Sequence, residues 1–316
     1  MNRVIRAGLV TGGAFVSLLL LGGMGFFALT WANLASEECG IAVLMFHQVI
    51  PDQEVPRRYA ARESDLARQL EELRDAGVRS LSEQELLAFL YPADGPGADA
   101  SWEGDVLTNG CPWDGTAALV TFDMDGTSHH RELALPHLER HGIPALFFVP
   151  TGFLDSGSAV TSADVQVLAR HGMALGSHSE WHRNLTTVES DSLVASLRRS
   201  RETLSVLSGQ EVRTVAAPGG RYDDRVLRDA ERAGFQAFFN SDPCYVTSAT
   251  SPYRICRIEI RGDRGPSALQ AVQSTRFVAV QATSWQMRRW VERMVGRRAW
   301  SWLSSQRARL ATPTGY

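Results

Sequence analysis

This chain of 316 residues has no lysine, only four cysteines and a small net charge. Lysine is absent altogether, so the 32 basic side chains are all arginines and no site can use a lysine ammonium group. The formal net charge is only −3, which gives no electrostatic reason to expect nucleic acid as a partner. The four cysteines include no Cys-x-x-Cys pair, so their spacing does not predict a structural zinc site.

Charged residues are also missing locally, from residue 7 to residue 36, after two arginines within residues 1–8. Residues 9–31 are long enough to cross a bilayer whose hydrocarbon core is roughly 30 Å thick. Because arginines precede this segment and Glu37 and Glu38 follow it, residues 1–8 are predicted to be cytoplasmic. We therefore expect a single N-terminal transmembrane helix, a signal anchor in the bacterial inner membrane, with the rest of the chain on the periplasmic or extracellular side. A signal peptide cleaved after Ala32 is the alternative.

The four cysteines all follow that segment, in the part of the chain predicted to lie where disulfides persist. Cys244 and Cys256 flank a predicted loop, and Cys39 and Cys111 flank the first part of the folded domain. Four cysteines can pair in three ways, and the sequence does not choose among them.

Two aspartates follow the apolar run at residues 117–122. They are Asp123 and Asp125 in the motif Asp-Met-Asp-Gly-Thr. Side chains at positions i and i+2 of a strand point the same way, so both carboxylates are expected to reach one site.

Two histidines, His178 and His182, follow a predicted short strand and turn at residues 172–177. If the chain between them is helical, they lie one turn apart and can converge on a single ion. Two histidines and one carboxylate leave a coordination position open for water, as catalytic metal sites do. The pattern therefore predicts a metal-dependent hydrolase.

Asp-x-Asp-Gly-Thr after a strand is also the opening motif of haloacid dehalogenase-like phosphatases, in which the first aspartate attacks phosphorus. Those enzymes use a basic residue, usually lysine, and a later acidic pair for magnesium. This chain has no lysine, its pair Asp223-Asp224 lies in a polar, turn-like stretch, and the histidines would have no role. The phosphatase and a purely structural aspartate turn remain as alternatives.

Between residues 41 and 271 the chain resembles the polysaccharide deacetylase family, which removes N-acetyl groups from amino sugars in polymers. Six segments carry the resemblance in the family's order. They are the strand ending in Phe46-His47, the helical stretches 66–73 and 81–87, the aspartate pair, residues 132–136 with 142–149, the two histidines, and residues 217–222.

The alternation of apolar strands with amphipathic helices predicts parallel strands in an α/β domain of barrel-like layout. The resemblance makes this a distorted (β/α) barrel of about seven strands over residues 41–271, with the site at the carboxyl ends of the strands. Residues 92–112 are rich in glycine, aspartate, alanine and serine, and are predicted to form a surface loop.

The resemblance also implies roles for individual residues. Asp123 is the general base, and Asp125, His178 and His182 hold one divalent ion, most simply Zn²⁺. A backbone N–H at Gly219 stabilises the oxyanion, in a substrate-binding turn that includes Pro218 and Tyr222.

Three positions depart from the family pattern, one of them being Gly219, where the residue after the proline is often aromatic. Met124 separates the aspartates, which are adjacent in most members, so the base and ligand roles could be exchanged. Ala216 stands where many members have an arginine that steadies the base, so no such arginine is expected here.

The acid that protonates the leaving amine is usually a late histidine, but no histidine follows His182. A subgroup of exopolysaccharide deacetylases with an early Tyr/Phe-His motif implies His47 in this role, at the end of a predicted strand over residues 41–46. His129 and His130 are the reserve candidates. Alternatively, His47 only packs at the end of the strand.

Residues 276–316 combine tryptophans with arginines and predict a basic, amphipathic helix. It either packs on the barrel, lies in the membrane interface, or offers a sugar-stacking or partner surface. For the whole chain we expect a membrane-anchored enzyme acting on an N-acetylated exopolysaccharide, peptidoglycan or lipid-linked glycan. A phosphohydrolase and a non-catalytic glycan-binding protein are the alternatives.

Overall fold

The computed structural model of the protein describes residues 40–91, 116–125, 129–157, 159–263 and 267–296. Its strands are β1 Ile41–Phe46, β2 Gln48–Ile50, β3 Ala60–Arg62, β4 Arg79–Ser80, β5 Ala117–Asp123, β6 Ala145–Val149, β7 Ala174–Ser177, β8 Thr214–Ala216, β9 Ala237–Phe239 and β10 Ile258–Glu259. Its α-helices are α1 Glu63–Asp75, α2 Glu83–Leu90, α3 Leu135–His141, α4 Ser162–Arg170, α5 Ser190–Ser208, α6 Asp224–Arg232, α7 Ala268–Gln273 and α8 Thr275–Val295.

One parallel sheet organises the domain, in the order β10-β1-β5-β6-β7-β8-β9, with β4 paired to β5. The segment after β9 touches both ends of this order. Ile255 forms a parallel bridge with Phe239 on β9, and Ile258 pairs with Leu44 on β1. The sheet therefore curls into a distorted barrel, which confirms the predicted parallel α/β architecture.

The central strands are buried along their whole length, as expected for parallel strands that helices cover. Every residue of β1, β5 and β6 is buried. Close packing also fixes Gly176 on β7, because a Cβ added there would lie 2.6 Å from the Phe148 ring. The core thus sets the strands in one register, and their carboxyl ends meet at one edge.

Helix starts follow the sequence signals for capping. Ser82 and Glu85 form a reciprocal capping box at the start of α2. The Asp223 side chain accepts a hydrogen bond from the Val226 backbone at the start of α6, so the Asp223-Asp224 pair serves a helix N-terminus. That local role accounts for the acidic pair without a magnesium site.

One disulfide joins Cys244 to Cys256, a pairing that the sequence left open. Cys39 and Cys111 lie outside the described residues, as do the predicted surface loop 92–112 and the predicted transmembrane segment 9–31. In the part of the chain that the structure describes, no helix is both long and apolar enough to cross a membrane.

The chain divides into two compact units, residues 36–278 and the terminal segments 1–35 with 279–316. The barrel belongs to the first unit. In the second, the predicted C-terminal helix is present as most of α8, on which Met287, Trp290 and Met294 are exposed. The boundaries 41–271 and 276–316 drawn from the sequence stay predictions.

Candidate metal and catalytic site

Three strands of the sheet, β1, β5 and β7, place the predicted site residues at one edge of the barrel. His47 directly follows β1, Asp123 ends β5 with Asp125 two residues beyond, and His178 directly follows β7. Because parallel strands end at the same edge, residues far apart in the sequence meet there. The structure therefore brings together the candidate base, acid and ligands.

The three predicted metal ligands form one cluster. Asp125, His178 and His182 each offer a ligand atom, and these atoms all lie within 4.8 Å of one another. His182 Nε2 is 3.6 Å from Asp125 Oδ2. One carboxylate and two imidazoles are the donor set of a catalytic zinc site that keeps a position open for water.

The hydrogen bonds of the two histidines also fit a metal ion. His178 Nδ1 lies 3.1 Å from the carbonyl oxygen of Ala216, so Nδ1 carries the proton and Nε2 presents a lone pair. Burial lowers the pKa of His178 to about 4, which keeps the ring neutral. The Nε2 atoms of His178 and His182 are buried, and neither has a hydrogen-bond partner among the described residues. Such unpaired acceptors are costly unless a cation or proton donor meets them.

The chain between the two histidines is not a helical turn, so that part of the sequence argument is wrong. Ser179 and His182 have φ angles of 62° and 48°, in the left-handed region that non-glycine residues rarely adopt. The backbone N–H of His182 donates to Ser179 Oγ at 3.1 Å, which supports this reversal. A tight loop, rather than helical spacing, makes the two imidazoles converge.

An arginine steadies the candidate base, contrary to the expectation from Ala216. Arg257 donates from Nη1 to Asp123 Oδ1 at 2.6 Å and from Nη2 to Oδ2 at 2.9 Å. Its Nε donates to the carbonyl oxygen of Asn240 at 2.8 Å. The Arg257 side chain is 0% exposed and that of Asp123 is 4% exposed. The cation that position 216 lacks is thus supplied by the residue just before β10.

The pKa of Asp123 lies far below its ordinary range. Burial by itself would raise it, but the charge of Arg257 outweighs burial, with smaller contributions from His178 and His47. Asp123 is therefore ionised throughout the physiological pH range.

The residues around Arg257 give a weak sequence signal for a buried ion pair. Arg257 is a lone cation among Ile255, Cys256, Ile258 and Ile260, all of which are buried. An arginine inside such an apolar run requires a buried anion, because an unpaired buried charge is strongly unfavourable. The sequence does not say which of the acidic residues meets it.

His47 lies against the other oxygen of the Asp125 carboxylate. Its Nδ1 is 3.5 Å from Asp125 Oδ1, and its ring meets Tyr59 edge-on at 4.8 Å. Burial would lower the pKa of His47, but the contact with Asp125 and the charges of Asp123 and Asp125 outweigh it, so the pKa is raised. A histidine that favours its protonated form suits a proton donor, and the role of His47 stays a prediction.

His130 is a weaker reserve acid than expected. Its ring is buried, and Nε2 lies 2.8 Å from the backbone oxygen of His47, to which it donates. Burial lowers the pKa of His130 and favours the neutral ring. His130 therefore supports the backbone of His47, and His129 beside it is exposed.

The predicted substrate-binding turn begins just after β8. Pro218 and Gly220 are buried, whereas Gly219 is exposed and has a φ angle of 62°, which glycine adopts without strain. The hydroxyl of Tyr222 donates to Asp242 Oδ2 at 2.6 Å. β8 ends at Ala216, whose carbonyl holds His178, so the turn starts two residues from the metal cluster.

The arrangement has the parts of a hydrolytic site. The three candidate ligands contact both the ionised, buried Asp123 and His47, whose pKa is raised. His178 Nε2 is 3.8 Å from Asp123 Oδ2, and His47 Nδ1 is 3.5 Å from Asp125 Oδ1. Such a group can activate water on one side of a carbonyl and protonate a leaving group on the other.

Residues 112–238 match the family model described as polysaccharide deacetylase, which confirms the resemblance seen in the sequence. The putative polysaccharide deacetylase YxkH of Bacillus subtilis (strain 168) is 24% identical over 153 residues, 48% of this chain and 54% of that protein. The peptidoglycan-N-acetylmuramic acid deacetylase PdaA of the same organism is 26% identical over 121 residues, 38% of this chain and 44% of that protein. The chain thus matches about half the length of these curated relatives.

Solved structures share the fold. Streptococcus pyogenes deacetylase PplD, in complex with acetate, superposes with a TM-score of 0.62 at 22% identity, covering 74% of this chain and 98% of that one. IcaB from Ammonifex degensii superposes with a TM-score of 0.58 at 22% identity, covering 78% of this chain and 98% of that one. At these identities the likeness establishes a common architecture.

Proposed function

We propose that the chain is a metal-dependent hydrolase removing N-acetyl groups from amino-sugar residues of a polysaccharide, as the match of residues 112–238 to the polysaccharide deacetylase model supports. The cluster of Asp125, His178 and His182 beside the buried Asp123–Arg257 pair is the observation that carries the proposal. The substrate class is an exopolysaccharide, peptidoglycan or a lipid-linked glycan.

Asp125, His178 and His182 would hold a divalent ion, most simply Zn²⁺. When bound, the ion would lower the pKa of a coordinated water to about 7 and would polarise the acetamide carbonyl. Asp123 accepts the proton of the attacking water. Because Arg257 engages both carboxylate oxygens, Asp123 is held in one orientation throughout.

His47 donates a proton to the leaving nitrogen, so the C–N bond breaks to give acetate and a free amine. Its Nε2 is buried and has no hydrogen-bond partner among the described residues, so no protein group competes for the proton that it is proposed to donate. The bond from His130 to the His47 backbone fixes the position from which it donates. The backbone N–H of Gly219 is proposed to stabilise the developing oxyanion, and the open left-handed turn leaves room there.

Structural observations argue against the two alternatives, a phosphatase and a non-catalytic glycan-binding protein. In a phosphatase Asp123 would attack phosphorus, but both of its oxygens accept hydrogen bonds from a buried guanidinium. A non-catalytic protein would be expected if the base lacked an arginine to steady it, but Arg257 donates to both oxygens of Asp123. Deacetylation is the activity that uses every group in the cluster.

The test is an assay of the purified full-length protein in detergent with zinc and acetylated chito-oligosaccharides. We expect equal amounts of acetate and free amine, and no phosphate from a phosphate ester. Asp123→Asn should keep its metal and lose on the order of 10²–10⁴-fold in kcat. Phosphate release without acetate, or full activity of Asp123→Asn, contradicts the proposal. If Asp123→Asn loses the metal while Asp125→Asn keeps it, the two roles are exchanged.

The acid role of His47 has its own test, based on the leaving group. Hydrolysis of an aryl acetate releases a stable phenolate, which can leave without being protonated, whereas the nitrogen of an amide must be protonated before it leaves. His47→Asn should therefore lose N-deacetylation by at least about tenfold more than it loses aryl acetate hydrolysis. Equal losses on both substrates mean that the acid is another residue.

We also propose that residues 9–31 anchor the protein in the inner membrane with the barrel on the periplasmic or extracellular side. The charge pattern around that segment and the Cys244–Cys256 disulfide support this location, because disulfides persist outside the cytoplasm. Protease added to intact spheroplasts should digest the barrel, and alkaline carbonate should leave the protein in the membrane. A free mature chain beginning near Asn33 would instead identify a cleaved signal peptide.

A further inference from the structure

Exposed aromatic side chains cluster around the candidate site. Within the described part of residues 36–278, the exposed aromatic residues are Tyr59, Phe153 and Trp181. Tyr59 lies against His47, Trp181 directly precedes His182, and Phe153 meets Trp181 edge-on with ring centroids 6.1 Å apart. An isolated exposed apolar side chain needs no explanation, whereas exposed aromatic rings that contact each other form a patch that marks a candidate binding surface.

The Trp181 and Phe153 side chains are 48% and 39% exposed. The pair forms an apolar surface beside the ligand His182, not a part of the barrel core. Its position follows from the chain path, because Phe153 lies just after β6 and Trp181 just after β7, and these are neighbouring strands. The surface is therefore continuous with the edge where the chemistry is placed.

The backbone under this aromatic pair is held rigidly. The N–H of Gly152 donates to the carbonyl oxygen of Glu180 at 2.6 Å, and that of Thr151 donates to Ser179 at 3.3 Å. A Cβ on Gly152 would come within 2.6 Å of the Trp181 ring, so only glycine allows this close contact. The two turns that carry the aromatic rings are thus joined directly.

The Glu180 side chain adds a second attachment. Its carboxylate accepts hydrogen bonds from Arg199 at 2.7 Å and from Ser196 at 2.7 Å, both on α5. Trp181 therefore projects from a segment that helix α5 holds in place. A rigid, exposed aromatic face needs little reordering when a ligand binds, which favours affinity.

We propose that Trp181 and Phe153 form a stacking subsite for a second sugar ring of the polymer, next to the ring whose acetamide is cleaved. One face of a β-linked hexosamine ring presents axial C–H groups and is apolar, so it matches an aromatic face that is rigid and partly wet. This inference rests on the proposed deacetylase function. It adds that the enzyme recognises an extended chain rather than a single amino sugar.

The first measurement separates binding from turnover. In the Asp123→Asn background, calorimetry measures the affinity for acetylated chitohexaose, and Trp181→Ala should weaken it about 5- to 30-fold. Trp181→Phe should restore most of the affinity. Trp290→Ala, which removes an exposed tryptophan of α8, is the matched control and should bind as well as its parent.

The second measurement uses the active enzyme. For the unaltered protein KM should fall from monomer to hexamer, and Trp181→Ala should remove most of that fall while kcat changes less than about threefold. Phe153→Ala, on the turn that carries no metal ligand, should shift KM in the same direction. If Trp181→Ala lowers the metal content, the KM of Phe153→Ala is the measurement that tests the stacking subsite.

The outcomes distinguish this inference from the function on which it rests. Acetate release with unchanged hexamer affinity and KM in both aromatic variants overturns the stacking subsite and leaves the deacetylase intact. Hexamer binding that depends on Trp181, without acetate release from any oligomer, supports the subsite and refutes the deacetylase. Hexamer affinity lost equally in Trp290→Ala also overturns the subsite.

Discussion

Replacing Arg257 with methionine tests the pair that links the fold to the chemistry. The substitution keeps a side chain of similar reach but leaves the Asp123 carboxylate buried without its cation. Two charge-assisted hydrogen bonds to Asp123 and one to the Asn240 carbonyl disappear in a site that excludes water. Breaking one partner of a buried ion pair costs about 3–5 kcal/mol, which corresponds to a fall of roughly 6–20 °C in Tm for a domain of this size.

The loss should depend on pH in a defined direction. In the native protein the pKa of Asp123 is depressed, so its contribution to stability is present above the unfolded pKa and is lost only as the pH falls through the folded pKa. In Arg257→Met, burial acts without the cation and raises the pKa of Asp123 above the unfolded value. The folded variant then holds the proton more tightly, so its deficit should be smaller near pH 4.5 than near pH 7.

Thermal unfolding by circular dichroism at the two pH values is the assay. Arg58→Met is the control, because Arg58 makes a similar two-bonded pair with Glu259 but is 32% exposed, and its loss should cost only about 1 kcal/mol. Adding Asp123→Asn to Arg257→Met should recover part of the stability. A Tm loss no larger than that of Arg58→Met, or one that is equal at both pH values, refutes the reasoning.

Three further outcomes are expected. His182→Ala should lose the single divalent ion measured by mass spectrometry after dialysis, whereas retention of full occupancy contradicts the ligand assignment. Burial raises the pKa of Glu83 to about 7, although a hydrogen bond from Thr214 opposes the shift. Stability is therefore lost as the pH rises from about 4.5 to 7. Glu83→Gln should raise Tm more at pH 8 than at pH 5. Serine at both Cys244 and Cys256 should lower the free energy of unfolding by about 2–4 kcal/mol in urea titrations, and an unchanged midpoint would show that the bridge adds no stability.

The parts of the fold that the sequence predicted well are those with local signals. The strand Ile41–Phe46 has the expected bounds, because a continuous apolar run marks a buried parallel strand. The ligand cluster was also predictable, since Asp125 follows one such strand and the two histidines follow another. Each of these motifs is complete within a few residues of the chain.

The parts that were missed depend on tertiary context. Arg257 meets Asp123 across 134 positions, and no local pattern encodes a contact of that span. The left-handed backbone at Ser179 and His182 has no clear signature in the sequence, because glycine is the only residue type that adopts that conformation routinely. The family pattern has this cation at the position of Ala216, whereas here the charge comes from Arg257, just before β10.

The contact between Arg257 and Asp123 depends on closure of the sheet. Arg257 stands between Ile255, which bridges to β9, and Ile258, which pairs with β1, so it reaches Asp123 only when both ends of the sheet have met. A chain that ends before residue 255, or one caught with the last strand undocked, retains the three ligands and the base. Its base lacks the buried guanidinium, so such a form could gather metal without becoming a competent catalyst. Closure of the barrel therefore completes the surroundings of the candidate base.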